Sequence, residues 1–150
     1  MKQTLILLLV SILMASCNSD SSTGRAQNNT KDSTSGTNKL CFQRLEGLSN
    51  QDTTLVNFTL QGSKVTGEMT WLPHEKDSRK GTIKAEKDGD IITGIWLYMQ
   101  EGTPDTLAVE FKLSEYKLLQ KTFGIDKTTG RSILTDTSTF SIPFEKTDCK

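Results

Sequence analysis

The chain is 150 residues long, with 18 Lys and Arg set against 18 Asp and Glu, and a single His. That balance leaves no basic stripe to follow a phosphate backbone. The aromatic residues, 7% of the chain, lie within apolar runs and not between Arg and Lys, so nucleic acid is excluded as a partner.

The N-terminus reads KQTLILLLVSILMASC. One basic residue, Lys2, precedes an apolar run from Leu5 to Met14 that only Ser11 interrupts. Ten helical residues rise about 15 Å, half of a roughly 30 Å hydrocarbon core. The run therefore fits a secretory leader and falls short of a spanning helix. Ala15 and Ser16 lead into Cys17. This segment resembles the lipobox of bacterial lipoproteins, with Met14 standing where that family prefers Leu. The resemblance implies that residues 1–16 are a signal peptide cut away before Cys17. It also implies a diacylglycerol thioether on Cys17 and a further acyl chain, such as palmitate, on its amine. Two or more chains suffice for stable anchoring, so the expected membrane attachment is lipid.

Residues 17–39 read as the lipidated cysteine and a polar tether. From Asn18 to Lys39 the chain contains no Val, Ile, Leu, Met, Phe, Trp or Tyr, and such a segment buries too little surface to offset its own ordering. As a random coil it spans about 25 Å, enough to hold a domain clear of the headgroups.

Residues 40–150 form the expected domain, and their periodicity is that of β-strands. Val56, Phe58 and Leu60 alternate before a turn at Gly62-Ser63; Val65, Gly67, Met69 and Trp71 alternate on the return. Ile83 and Ala85 lead to a turn expected at Asp88-Gly89, followed by Ile92, Gly94, Trp96 and Tyr98. Leu107, Val109, Phe111 and Leu113 alternate with polar partners, and Phe140, Ile142 and Phe144 close the chain. Segments near Cys41–Leu45 and Tyr116–Phe123 complete eight candidate strands, although SEYKLLQK also fits one or two helical turns. The charged run from Glu75 to Lys80 reads as a solvated hairpin loop.

Strands at this spacing predict an all-β fold: an antiparallel meander that closes into a small barrel of about eight strands, or a strongly curved β-sandwich. Pro143 removes a ladder donor from the last strand and favours an edge or bulge there. VTGEMTW and ITGIWLY echo each other, each with a Gly two positions before a large side chain, as at a bend where a barrel turns its corner. Chance similarity between two β-rich segments accounts for the echo equally well.

The run GTIKAEKDGDIITGIW ahead of EGTPDTLAVEF, a Cys-aromatic start in CFQRLEG and an end at TDC resemble small lipocalin-like lipoproteins of the Bacteroidetes envelope. The resemblance covers residues 40–150 and implies a fold and an address, the bacterial cell envelope with the outer membrane ahead of the inner, far more than a chemistry.

With Cys17 lipidated, Cys41 and Cys149 remain as a candidate disulfide in an oxidising compartment. In a closed meander with an even strand count the last strand lies antiparallel beside the first. The start of one then meets the end of the other, where these cysteines fall.

Residues suited to chemistry are few. His74 lies in a loop, no G-x-S-x-G elbow accompanies it, and neighbouring Glu75 and Asp77 match no metal-ligand spacing. Glu68, Glu86 and Glu110 fall on polar strand faces. Phosphate-loop and dinucleotide fingerprints are absent. No catalytic residue, metal or cofactor is assigned. Asp32-Ser33-Thr34, Asp52-Thr53-Thr54 and Asp105-Thr106-Leu107 resemble the O-glycosylation signal of Bacteroidetes exported proteins.

Strand 91–99 is apolar on both faces. Ile91, Ile95, Leu97 and Met99 point opposite to Ile92, Trp96 and Tyr98, so the 124–138 connection, or else a partner, is expected to cover them. The leading functional expectation is a cup for a small apolar or amphipathic molecule, lined by Trp71, Trp96, Tyr98 and Phe111. The alternative is an envelope protein-interaction or structural lipoprotein whose barrel those side chains fill. A hydrolase trails for want of a nucleophile and base.

Overall fold

The computed structural model describes residues 37–149. The expected signal peptide, Cys17, the expected tether as far as residue 36 and the Asp32-Ser33-Thr34 motif lie outside the described residues.

Ten strands follow in chain order: β1 Asn38–Glu46, β2 Asp52–Gln61, β3 Lys64–Leu72, β4 Arg79–Asp88, β5 Ile91–Gln100, β6 Thr103–Leu113, β7 Lys117–Lys121, β8 Gly124–Ile125, β9 Ser132–Ile133 and β10 Phe140–Thr147. Eight of them close an antiparallel barrel in the order β1-β10-β7-β6-β5-β4-β3-β2, while β8 and β9 pair apart from it. The closed order decides between barrel and sandwich. β1 begins two residues ahead of the expected domain boundary and takes in Asn38 and Lys39.

Alternation explains the interior. Val56 and Phe58, Val65 and Met69, Ile83, Ile92 and Trp96, Val109 and Phe111 are all buried, as a period of two on a closed sheet requires. Phe58 and Phe111 meet edge to face across the barrel, with ring centroids 5.4 Å apart, a contact worth about 0.5–1.5 kcal/mol beyond its area. The glycine echo has a shared cause. A Cβ at Gly67 would overlap the Asn57 carbonyl, and one at Gly94 would overlap the Lys84 carbonyl and Ala85. Both glycines therefore let a strongly coiled strand approach its neighbour closely.

Several expectations are corrected in detail. The β4–β5 turn is Gly89-Asp90, one residue later than expected. The segment after Tyr116 is a strand and not a helical turn: Leu118 and Gln120 are buried between half-buried or exposed neighbours, and Phe111 pairs with Gln120. Arg79 and Lys80 open β4 and do not belong to the loop. On the outer side of β5, Ile95, Leu97 and Met99 remain exposed. The 124–138 connection does not cover them, because it is drawn instead to one end of the barrel.

Topology gives the barrel two unlike ends. At one lie the start of β1, the turns at 62–63, 89–90 and 114–116, and the end of β10; at the other lie the connections 47–51, 73–78, 101–102 and 122–139. The Cys41–Cys149 disulfide belongs to the first end, with Cα atoms 5.2 Å apart. It joins the first and last barrel strands as the even strand count requires. The seam it ties is short: β1 and β10 pair only through Cys41–Thr147, Phe42–Lys146 and Gln43–Glu145. Pro143, which has no N–H, stands just beyond the last of these pairs and faces outward. A bulge between Phe140 and Ile142 follows where β10 meets β7.

Candidate functional site

Toward the disulfide end the interior is packed beneath an open depression of about 410 Å³ bordered by Leu40, Phe42 and Leu113. Phe42, Phe58, Ile83, Ile92, Val109, Phe111 and Leu118 are almost wholly buried there. Toward the other end a cavity of about 220 Å³ remains, and its walls include Thr54, Met69, Trp71, Arg79, Trp96 and Phe123. An eight-stranded barrel has room for a filled interior or one small ligand; this one divides its length between the two. Drug-sized ligands occupy roughly 300–1,000 Å³, whereas a cavity of about 150 Å³ admits benzene. The space suits a body of about one ring.

Of the four aromatic residues expected to line a cup, Trp71 and Trp96 do so. Phe111 does not: it is fully buried in the floor, because its position on β6 lies two alternations below Leu107. Tyr98 does not line the cavity either. It stacks behind Trp96, with centroids 4.3 Å apart, and its hydroxyl donates to Asp105 Oδ2 at 3.0 Å. Burial, first, and the bond to Asp105 push the Tyr98 phenol above its ordinary pKa, so at neutral pH it remains a donor.

Arg79 is the residue that sequence reasoning missed. Its guanidinium carbon sits 5.1 Å from the Trp71 ring centroid and 5.4 Å from that of Tyr98, within reach of cation–π attraction. Its Nε donates to Gln100 Oε1 at 2.7 Å. Among the described residues no carboxylate lies within ion-pair distance of it, whereas Arg44, on the same wall, is paired with Glu46 at 2.5 Å. One positive charge in the cavity wall is thus unbalanced. A signal for it did exist: counting back by twos from Ile83 through Gly81 reaches Arg79.

Trp96 adds a second unsatisfied group. The residue is 3% exposed, and its Nε1 is buried with no hydrogen-bond partner among the described residues. Such a group costs about 1–3 kcal/mol and calls for an acceptor.

The 122–139 connection reaches the mouth. Phe123 and Ser132 contribute to the cavity wall, and the Arg131 guanidinium bonds to Asp105 on β6. Asp126 orders the turn between β8 and β9 by accepting from the Thr128 and Thr129 N–H groups at 2.7 and 2.9 Å. Asp105 gathers three donors. The Thr106 N–H, foremost, with the Tyr98 hydroxyl and Arg131, hold its carboxyl below the usual range despite partial burial.

The other expected positions lie elsewhere. His74 sits in the 73–78 connection, where its backbone N–H donates to Asp52 Oδ1 at 2.8 Å. No group of three or more His, Cys, Asp or Glu is placed to hold a metal among the described residues. Of the residues that follow Asp in the two described glycosylation-like motifs, Thr106 is exposed on β6 and Thr53 is half-buried on β2.

Fold and site together define a small closed β-barrel with a filled base and an amphipathic cup at one end. Comparison with protein-family models, curated proteins and solved structures finds no match.

Proposed function

We propose that the chain is a lipid-anchored protein of the bacterial envelope, attached through Cys17 and held on the outer membrane in preference to the inner. Its barrel is a lipocalin-like module that holds one small amphipathic molecule. The observation that supports binding is the cavity itself: apolar and aromatic walls and a cationic side chain without a carboxylate partner among the described residues. Anchoring rests on the leader and the lipobox-like sequence alone.

The binding half is tested by native mass spectrometry of the purified protein, which is expected to retain a small molecule. Both tryptophans of the chain line the cavity, so intrinsic fluorescence should shift when that molecule is removed. A protein that carries nothing and whose fluorescence no small amphipathic probe alters would refute the cup. For anchoring, Cys17→Ala is expected to abolish lipidation and release the protein from the membrane fraction. An unmodified Cys17 in the native protein would refute it.

A second reading is favoured by the outer face of β5, where Ile95, Leu97 and Met99 are exposed side by side: an envelope protein that binds another protein through this stripe. A stoichiometric protein partner in the same spectra, with an empty cup, would support it.

A further inference from the structure

Resting on the reading of the barrel as a cup, we infer that its ligand is a small organic carboxylate, one ring or a short alkyl chain in size, whose oxygens accept from Arg79. Arg79 is fixed before any ligand arrives. Trp71 and Tyr98 flank its guanidinium at 5.1 and 5.4 Å, and its Nε is committed to Gln100. The two terminal amino groups therefore remain as donors, and none of the described residues accepts from them. Their fork matches a carboxylate.

The remaining charges on the wall belong to Arg44 and Glu46, which neutralise each other, so the field inside is that of Arg79. A cationic ligand is disfavoured, and a neutral one leaves the charge unanswered. Arg79 offers donors and no acceptor, which selects an acceptor-rich ligand. Volume sets the enclosed body: about 220 Å³ exceeds a benzene-sized cavity of about 150 Å³, and anything longer projects through the open mouth. Met69, Trp71, Leu107 and Phe144 offer that body an apolar wall.

The test titrates benzoate, hexanoate, benzyl alcohol and benzylamine into the purified protein and follows tryptophan fluorescence. Benzoate and hexanoate are expected to saturate, benzoate at least roughly tenfold tighter than benzyl alcohol, as for one charge-assisted contact, and benzylamine not at all. Arg79→Gln should reduce benzoate to about the affinity of benzyl alcohol, and a cooperative urea transition like that of the unaltered protein shows that the variant is folded. Arg79→Lys should recover part of the loss. Equal binding of benzoate and benzyl alcohol, or an Arg79→Gln protein that binds benzoate as before, would overturn the carboxylate and leave the cup standing. Loss of benzyl alcohol along with benzoate in Arg79→Gln would make Arg79 part of the wall's support and overturn its role in recognition. No saturable response to any of the four probes would overturn carboxylate and cup together.

Discussion

Removing the Cys41–Cys149 bond tests the closure of the barrel at the seam where its first and last strands meet. The bond closes a loop of 108 residues, for which the chain-entropy model gives about 4–5 kcal/mol at 25 °C, with measured values often nearer 2–4. Few contacts replace it locally. β1 and β10 share three residue pairs, whereas β1 and β2 share nine and β4 and β5 share nine; the equally short β6–β7 ladder is held by the tight turn 114–116, which the seam lacks. Once the tie is gone, the seam can open without disturbing the hairpins on the far side. The double variant Cys41→Ala, Cys149→Ala is therefore expected to lose a few kcal/mol in urea unfolding, a large share of the roughly 5–15 kcal/mol of an ordinary domain. Hydrogen exchange should show a definite order. Amides of Cys41–Gln43 and Glu145–Thr147 should lose protection first, and those of the β2–β3 and β4–β5 hairpins last. Free thiols in freshly isolated, oxidised protein would refute the bond. Hairpins that open before the seam would refute the argument that the short ladder is the weak point.

Two further predictions follow from the cavity rim and the barrel bend. Asp105 has a depressed folded pKa, so the stability it contributes is complete above its unfolded value, near 3.9, and is lost as pH falls through the lower folded value. Asp105→Asn should accordingly destabilise the protein at neutral pH, by an amount that shrinks below about pH 4; a difference that is constant with pH would show that charge is not involved. Gly94→Ala places a methyl group against the Lys84 carbonyl and Ala85 and should cost about 1–3 kcal/mol as an overpacked site. An unchanged melting temperature would mean that the bend relaxes freely.

The strands were legible because each interior run has a period of two and its own apolar residues; Val56 and Phe58, or Val109 and Phe111, have no other consistent arrangement. The seam was legible for a different reason. Parity of strand number brings Cys41 beside the end of β10 whatever the side chains do. The β7 segment was ambiguous because Leu118 and Leu119 sit side by side, and a five-residue run is too short to separate a period of two from one of 3.6. Only the ladder to β6 and β10 decides it.

The cup was half legible. Aromatic side chains with inward parity were found, but depth along the barrel axis is set by strand stagger, and a single sequence does not display it. That is why Phe111, correct in parity, lies in the floor, while Trp71 and Trp96 reach the cavity. Arg79 escaped for a converse reason. Its neighbours Asp77, Ser78 and Lys80 are polar, so the segment reads as solvated until the β3–β4 ladder, with Trp71 opposite Arg79, places its guanidinium against two aromatic rings. The wall around Trp96 depends on residues more distant still, since Phe123 and Ser132 arrive through a connection that Arg131 fastens to Asp105. The cavity in this barrel is thus assembled at the end where the chain departs from the meander. The regular strands supply a rigid, filled base, and the one long connection brings the polar contacts that give the mouth its shape.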